Sequence, residues 1–232
     1  HFAADVTHEL KNPIASVRSA IEGLGRVKTD EQRAQLLAIA DEDVRRLDRL
    51  VSDISDASRI DAQLSRTLFE PIDVGLMIES MLAGRAARAE QGGAPQPRIA
   101  FARPRKGTAT VMGDGHRLER AIDNIIDNAI SFSPPDGLVC VRATRLGQDV
   151  HIGVDDDGPG IEPAQREAIF RRFHSERPNG EAFGRHSGLG LAIARTIVEG
   201  HGGPITAGAR EDGKPGASLL ITLPAADEDG TA

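Results

Sequence analysis

The sequence lacks the long apolar segments of a membrane protein and the paired cysteines of a secreted one. No apolar run approaches the roughly 20 residues that a membrane-spanning helix needs, and no signal-peptide pattern is present. Cys140 is the only cysteine among 232 residues, so an internal disulfide is excluded, as is typical of proteins in a reducing cytosol. We interpret Cys140 as a small apolar residue in a strand rather than as a reactive thiol.

An excess of positive charge is also lacking. The 28 Lys and Arg residues face 35 Asp and Glu residues, which leaves a formal net charge of -7. This balance argues against nucleic acid or an anionic membrane as the main partner. The length allows one or two domains, each with its own core. Because the first residues already lie in a helical pattern, we expect the chain to be part of a longer protein.

The first stretch has the pattern of an amphipathic helix. His8 lies off its apolar stripe, so the imidazole should reach water beside Asp5, Lys11 and Asn12. Neutral imidazole is a nucleophile near pH 7, and Pro13 should bend the helix next to it. Taken alone, a surface histidine is more often only a solvated residue. A zinc motif is excluded because Asn12 stands where H-E-x-x-H needs its second histidine. The stripe consists of Phe2, Val6, Leu10, Ile14, Val17, Ile21 and Leu24.

A second helix should follow the glycine stop at Gly23 and Gly25, with Thr29 or Asp30 as its N-cap. Two such helices form a hairpin with an uncovered apolar face, and a second copy would close it into a four-helix bundle. We therefore predict a homodimer. Packing of the hairpin on its own C-terminal half is the less favoured alternative, because the seam runs nearly the full length of the helix. The heptad seam is Leu37, Ala40, Val44, Leu47, Val51 and Ile54.

The rest of the chain mixes short strands and helices, which predicts a two-layer α/β sandwich. Predicted helices cover 72–90, 117–131, 163–170 and 190–201. Predicted strands cover 98–101, 109–112, 138–145, 150–156, 205–209 and 218–223. Residues 65–71 break the heptads and predict a linker, and the acidic residues 225–232 predict a disordered tail.

Two polar motifs in this half have ligand-binding chemistry. Asn124 and Asn128 are four residues apart, so their amides share one helix face and can hold Mg²⁺ together with phosphate oxygens. Asp156 follows a strand and can accept a hydrogen bond from an exocyclic amine such as that of adenine. Gly158 and Gly160 let the backbone approach a flat base. Taken singly, the asparagine pair would more often be two surface amides, and the aspartate motif would more often be only an acidic turn.

Further glycines surround a predicted lid. Gly188 and Gly190 lead into a helix whose free N–H groups can bind an anion. Before them lies a polar loop in which Arg172 and Arg185 could reach a terminal phosphate, although two solvated arginines are equally common. Gly216 lies in a glycine turn before the last strand.

The order of these motifs resembles the cytoplasmic core of the sensor histidine kinases. The matches to the family's H, N, G1, F, G2 and G3 boxes are His8-Glu9-x-x-Asn12-Pro13, Asn124…Asn128, Asp156-x-Gly158-x-Gly160, Phe170-x-x-Phe173, Gly188-x-Gly190 and Gly216-Ala217-Ser218. They span almost the whole chain, and their joint order is highly specific. The resemblance implies a dimerisation and phosphotransfer hairpin (1–64), a linker (65–71) and an ATP-binding catalytic domain of the Bergerat fold (72–224).

The resemblance also implies roles for the residues of the first helix. His8 matches the phosphoacceptor, and Glu9 matches the acidic neighbour that activates it. Adjacent helix side chains diverge, however, so Asp5 or Lys11 is better placed for this task. Asn12 matches the residue that orients a water molecule for phosphatase activity.

In the second half the resemblance implies ATP and Mg²⁺ as ligands. Asn128 matches the metal ligand, with Asn124 beside it, and Asp156 matches the acceptor of the adenine amine. Two departures stand out: Ser131 replaces a Lys or Arg that contacts phosphates, and His186 replaces the first glycine of the G2 box. The other implied nucleotide-binding residues are Gly158, Gly160, Phe170, Arg172, Gly188, Gly190 and Gly216.

The function that the resemblance implies is ATP-dependent autophosphorylation of His8. The phosphoryl group would pass to an aspartate of a response-regulator receiver domain, with phosphatase activity on the same partner and a hinge at residues 65–71. The alternative is a nucleotide-binding scaffold or a phosphatase-dominant protein, which the departures at Ser131 and His186 keep open. A chaperone-like or topoisomerase-like ATPase would leave the His8 helix unexplained. The G2 variant resembles membrane sensor kinases, so we expect a cytoplasmic location as part of an inner-membrane sensor.

Overall fold

The computed structural model describes residues 2–63, 69–90, 95–172 and 188–226. The side chains of residues 2–9, 42, 46, 49, 50, 52–63 and 90 lie outside this description. The chain divides into two compact units, of which one is helical and the other is built on a β-sheet.

The helical unit is a hairpin of α1 (Phe2–Leu24) and α2 (Asp30–Gln63). The turn between them closes where the N–H of Arg26 donates to the carbonyl of Gly23 at 2.9 Å. A Cβ at Gly23 would lie 3.0 Å from the Leu36 side chain, so the two helices approach closely at this glycine. The hydroxyl of Thr29 accepts from the N–H of Gln32 at 3.3 Å. The predicted N-cap is thus confirmed at Thr29.

Large apolar side chains of the hairpin remain exposed in this single chain. Val44 and Val51 of the predicted heptad seam are 45% and 54% exposed. Ile14, Ile21 and Leu37 are also exposed. A hairpin of two helices cannot bury such a stripe against itself, so the face is available to another helix pair.

The second unit contains one mixed sheet of five strands. The elements of this unit are β1 (Glu70–Asp73), α3 (Val74–Glu90), β2 (Arg98–Ala102), β3 (Thr110–Gly113), α4 (Gly115–Phe132), β4 (Leu138–Leu146), β5 (Asp149–Asp155), α5 (Gly190–Gly200), β6 (Ile205–Ala209) and β7 (Ala217–Pro224). The strand order in the sheet is β2-β4-β5-β7-β6, with β2 parallel to β4 and the other neighbours antiparallel. Strands β1 and β3 form a separate antiparallel pair.

The core of this unit lies between the sheet and a layer of helices. Helix α4 packs on α3, on α5 and on the sheet, and α5 also touches β6 and β7. One side of α4 is fully buried, whereas its other side carries the two asparagines. Alternate residues of β5 supply the sheet side of the core. The predicted helical hairpin followed by a two-layer α/β sandwich is therefore confirmed. The buried residues of α4 are Leu118, Ala121, Ile122, Ile125, Ile126 and Ala129.

Three predicted helices differ from the structure. The helix predicted at 117–131 begins at Gly115, because the carboxylate of Asp114 caps it by accepting from the N–H of Arg117. The helix predicted from residue 72 begins at Val74, because residues 70–73 pair with β3 and Ile72 lies opposite Val111. The carboxylate of Asp73 then accepts from the N–H of Leu76 at 3.0 Å, which ends the strand and starts α3. The helix predicted at 163–170 consists of two 3₁₀ turns, Pro163–Gln165 and Ala168–Phe170, because each is closed by an i to i+3 hydrogen bond.

The predicted disordered tail is wrong for its first two residues. The N–H of Ala225 donates to the carbonyl of Gln148 at 2.8 Å, and Ala225 bridges to Val111. The N–H of Ala226 donates to the carbonyl of Thr110 at 2.7 Å, and Ala226 is buried. Backbone pairing with β3 thus extends the ordered chain beyond β7. Residues 227–232 lie outside the described part.

A buried histidine joins the end of α5 to the start of α4. Nδ1 of His201 lies 2.7 Å from the carbonyl oxygen of Ile197, and Nε2 accepts from the N–H of Asp114 at 3.0 Å. These partners require the neutral ring with its proton on Nδ1. The ring of Phe69 stacks on the imidazole with a centroid distance of 4.8 Å. His201 therefore ties the residue before β1 to both central helices.

We predict that this histidine makes stability depend on pH. Burial lowers the pKa of His201 below the usual value, so the unfolded chain binds a proton first. The stabilisation by His201 is complete above about pH 6.5 and is lost as the pH falls below that value. His201→Gln should lower the free energy of unfolding by about 1–2 kcal/mol at pH 7.5, and the loss should shrink at pH 5.5. Urea unfolding followed by circular dichroism tests this, since the chain has no Trp or Tyr; an equal loss at both pH values would contradict it.

Candidate functional site

Asp156 is the centre of the polar site in the α/β unit. It follows β5 directly and is 3% exposed. Its Oδ1 accepts from the N–H of Gly158 at 2.8 Å and from the N–H of Ala217 at 3.0 Å. Both bonds fall on Oδ1, so Oδ2 can accept from a ligand. The predicted acceptor is thus held by its own turn and by Ala217, which lies 61 residues further along the chain.

Two predicted glycines, Gly158 and Gly216, lie against this aspartate, and a third, Gly160, lies against Gly216. A Cβ at Gly158 would be 2.8 Å from Oδ1 of Asp156 and 2.9 Å from the carbonyl oxygen of Phe132. At Gly216 a Cβ would be 1.8 Å from the carbonyl oxygen of Asp156, and its φ of 127° favours glycine. Gly160 has a φ of 84° and faces the backbone of Gly216. The G1 and G3 turns therefore touch each other, and no side chain fits between them.

The ionisation of Asp156 reflects opposing effects. Burial raises the pKa of this carboxyl, and the neighbouring charge of Asp155 acts in the same direction. The N–H groups of Ala217 and Gly158 and the charge of Arg210 act against it. Hydrogen bonds to the ionised form favour that form. The backbone N–H groups thus favour the ionised form of the buried Asp156, in which the carboxylate can accept a hydrogen bond.

The second part of the site is the polar side of α4. Asn124 and Asn128 are half-buried there, one turn apart. Nδ2 of Asn124 is buried and has no hydrogen-bond partner among the described residues. A Cβ at Gly190, the first residue of α5, would be 3.5 Å from Oδ1 of Asn124. The orphaned Nδ2 is a donor that a polar ligand would satisfy.

Arg85 holds this side of α4 in place and was missed from the sequence. Its guanidinium bonds Asp123 at 2.5 Å and Asp127 at 2.8 Å, and its side chain is largely buried. The two acids are four residues apart and each precedes one of the asparagines. Because α3 supplies the arginine, the rotation of α4 about its axis is fixed. The spacing of Asp123 and Asp127 was the available sequence pattern.

The predicted lid region is described only at its two ends. Phe170 is buried in the second 3₁₀ turn, with the Arg195 guanidinium 5.6 Å from its ring centroid. Arg172 is exposed at the end of the described segment. Gly188 has a φ of 65°, which fits glycine there. Residues 173–187, which include the predicted Phe173, Arg185 and His186, lie outside the described part.

The predicted catalytic residues belong to the helical unit. His8, Glu9 and Asn12 all lie on α1, which runs without interruption through Pro13. Asn12 is exposed. The side chains of His8 and Glu9 lie outside the described part, so the roles of these residues stay predictions.

The donor set suits a nucleotide with a hard cation. No group of three or more His, Cys, Asp or Glu that could hold a metal occurs within the ranges described here. Amide oxygens at Asn124 and Asn128 are the kind of ligand that Mg²⁺ accepts when phosphate oxygens and waters complete its shell. The buried acceptor at Asp156 suits the amine of a base. Ser131, which stands in place of the family's Lys or Arg, is half-buried near the end of α4.

Comparison with known proteins decides the family. A model described as "His Kinase A (phospho-acceptor) domain" matches residues 1–63. A second, described as "Histidine kinase-, DNA gyrase B-, and HSP90-like ATPase", matches residues 113–227. The chain belongs to the sensor histidine kinases. In this family the chain supplies the two domains of the kinase core, as the sequence predicted.

Individual relatives agree with this assignment. "Sensor protein ChvG" of Rhizobium meliloti (strain 1021) is 42% identical over 97% of this chain, which spans 40% of that protein's length. The structure of full-length ShkA in complex with AMPPNP has a TM-score of 0.60 and 27% identity, over 95% of this chain and 45% of that one. The histidine kinase ThkA, solved with the response regulator TrrA, shares the fold with a TM-score of 0.73 at 22% identity. The match covers 96% of this chain and 60% of the ThkA chain. Among the described helices of this histidine kinase core, none is long and apolar enough to cross a membrane.

We predict that Gly158→Ala destabilises the α/β unit. The added Cβ must displace either the Asp156 carboxylate or the Phe132 carbonyl, and such overpacking costs about 1–3 kcal/mol. Gly208→Ala in β6 is the matched control, because a Cβ there meets nothing within 4 Å, and it should change stability by no more than about 0.5 kcal/mol. Thermal unfolding of both variants measures the difference. Equal midpoints would show that the contact at Gly158 is not tight.

Proposed function

We propose that this chain is the ATP-dependent catalytic core of a sensor, which phosphorylates itself on His8 and passes the phosphoryl group to an aspartate of a response regulator. The observation that carries the proposal is Asp156, buried and held through Oδ1 by two backbone N–H groups. This arrangement leaves an acceptor for the adenine amine beside glycines that admit a flat ring. Support for the partners comes from ShkA, solved with AMPPNP, and ThkA, solved with a response regulator.

The two asparagines of α4 would hold the phosphate end of the nucleotide. Asn128 would ligate Mg²⁺ through its amide oxygen, with Asn124 one turn earlier. Bound there, Mg²⁺ would offset the negative charge of the phosphates during transfer. Gly188 and Gly190 would present the N–H groups at the start of α5 to phosphate oxygens. Arg172 would contact the phosphate end from the segment before α5.

His8 would act as the nucleophile. The lone pair of its Nε2 attacks the γ-phosphorus, the nitrogen–phosphorus bond forms, and the bond from phosphorus to the bridging oxygen breaks. ADP departs with that electron pair, and the proton on Nδ1 passes to Glu9 or to water. The phosphoryl group then moves to the carboxylate of the receiver aspartate. In the separate phosphatase reaction, Asn12, exposed one turn along α1, would orient a water molecule that attacks the phosphorus of the receiver's aspartyl phosphate, so that inorganic phosphate leaves and the aspartate carboxylate is restored.

The site must bring the two units together during the reaction. The γ-phosphate reaches His8 only when the nucleotide domain meets α1, so a hinge is required between them. The hinge predicted at residues 65–71 stays a prediction, because residues 65–68 lie outside the described part, whereas Glu70 and Pro71 belong to β1. By analogy with the sensor proteins that it resembles, the whole protein would be an inner-membrane sensor with this core in the cytoplasm.

We predict that His8→Gln abolishes labelling by γ-labelled ATP. ATP affinity should stay within about twofold of wild type, because His8 is not among the residues that hold the base or the phosphates. Labelling in the presence of Mg²⁺, followed by acid and base treatment, measures the effect. An acid-labile, base-stable label is expected on the wild type only. A label that persists in His8→Gln would show that another residue is the acceptor.

A nucleotide-binding scaffold or a phosphatase-dominant protein is the second candidate. Ser131 on α4 is the observation that favours it, because the phosphate contact of a Lys or Arg is missing there. The same assays separate the two functions. Binding of ATP without any label on His8 would favour the scaffold, and dephosphorylation of a phosphorylated receiver domain would then assign a phosphatase.

We further propose that the core is a homodimer joined through the hairpin. Val44 and Val51 lie in one heptad seam and are about half exposed in the single chain, which leaves an apolar face for a second copy. Val44→Glu should shift the protein from dimer to monomer in analytical ultracentrifugation, because a buried charge would lie on the seam. Arg45→Glu, a change on the polar side of α2, is the control and should stay dimeric. A wild-type monomer at tens of micromolar would overturn the proposal.

A further inference from the structure

Arg210 is the most densely bonded cation near the nucleotide site, and none of the sequence motifs includes it. It follows the last residue of β6, and its side chain is 4% exposed. Its Nη1 donates to the carbonyl oxygen of Asp156 at 3.1 Å and to Oδ1 of Asp157 at 2.5 Å. Its Nε and Nη2 form a fork onto the carboxylate of Asp212 at 2.9 and 2.7 Å.

These bonds connect three segments of the chain. Asp212 belongs to the turn that leads to Gly216, and Asp157 belongs to the turn after β5. Oδ2 of Asp157 accepts in addition from the N–H of Leu138, at the start of β4, at 2.8 Å. Arg210 therefore joins the G1 turn to the turn that carries Gly216, so it braces both segments that donate to Asp156. A Cβ at Gly216 would be 3.0 Å from Cδ of Arg210, so the packing here is close.

The charge of Arg210 also acts on Asp156. It lowers the pKa of this carboxyl against the larger effect of burial, whereas Asp155 raises it. Asp155 is itself paired with Arg142 of β4. The fork remains charged under ordinary conditions, since hydrogen bonds from Arg210 lower the pKa of Asp212 to about 2. Among the described groups that act on Asp156, Arg210 is thus the cation that favours the ionised form.

The ionisation state of Asp156 determines which base it can bind. An ionised carboxylate only accepts hydrogen bonds, so it suits the 6-amino group of adenine. A protonated carboxyl can donate, so it tolerates the 6-keto oxygen of hypoxanthine. A site built to bond an amine rejects a ligand that lacks it, because polar groups are then left unpaired.

We propose that Arg210 is a positioning residue that sets base specificity, because it fixes Asp156 as an acceptor for a 6-aminopurine and excludes a 6-ketopurine. The inference rests on the proposed nucleotide function of the same site. Arg210 does not touch the base; it acts through the backbone of Asp156, through Asp157 and through its charge.

The test compares ADP with IDP, which differ at position 6 of the base, by titration calorimetry without Mg²⁺ between pH 6 and 8.5. Wild type should prefer ADP. Arg210→Met should lose about tenfold or more of its ADP affinity, while IDP affinity falls less, so the ratio of the two affinities drops. Because the charge of Arg210 lowers the pKa of Asp156, ADP affinity in this variant should depend more steeply on pH than in wild type and rise toward alkaline pH. Arg103→Met is the matched control: Arg103 makes a half-exposed ion pair with Glu79 and should leave the ratio unchanged.

Two further variants test the inference if circular dichroism shows that Arg210→Met does not fold. Arg210→Lys keeps the charge but not the fork, so it should bind both nucleotides more weakly with the preference for ADP retained. Arg210→Gln keeps a donor but not the charge, so its preference should drop. An unchanged ratio and pH profile in the neutral variants would overturn the role of Arg210. Failure of wild type to bind ADP would instead overturn the proposed function.

Discussion

The structure of the α/β unit depends on one buried carboxylate that is satisfied by backbone from two places. Asp156 loses most of its contact with water, and an ionised carboxyl is tolerated there only because donors replace that water. The N–H groups of Gly158 and Ala217 supply them. This requirement explains why the turn after β5 and the turn before β7 lie against each other, and why side chains are absent at Gly158 and Gly216. A single polar constraint thus shapes the site that we propose for a base.

The second part of the proposed site, the polar side of α4, follows from the amphipathic character of this helix. Its apolar side, which includes Ile122 and Ile126, is buried against the sheet. This burial leaves Asn124 and Asn128 on the opposite side, where Asn124 faces Gly190 at the start of α5. Arg85 fixes the same orientation from α3 through Asp123 and Asp127. Hydrophobic burial and the partly buried ion pairs of Arg85 therefore act together to orient the helix that carries the two amides.

Several parts of this arrangement were predictable because they depend on local chemistry. The helical spacing of apolar residues predicted both hairpin helices and α4, and the capping preference of Thr29 predicted the start of α2. Errors occurred where long-range pairing overrides local pattern. Residues 70–73 became a strand because β3 lies beside them, and Ala225 and Ala226 are ordered by hydrogen bonds to distant backbone. The roles of His8 and Glu9 stay predictions, since motif order alone supports them.

By itself, the sequence determined the family, the order of the two domains and the chemical types at the site, because boxes such as Asn124…Asn128 are defined by spacing along the chain. Only the tertiary structure decided which residues support them. Arg210 lies 54 residues from Asp156, and Arg85 lies 38 residues from Asp123. Separations of this size carry no periodic pattern, since the contacts arise only when strands and helices pack. A sequence can thus name the groups that bind a ligand, whereas folding selects the residues that hold those groups in place.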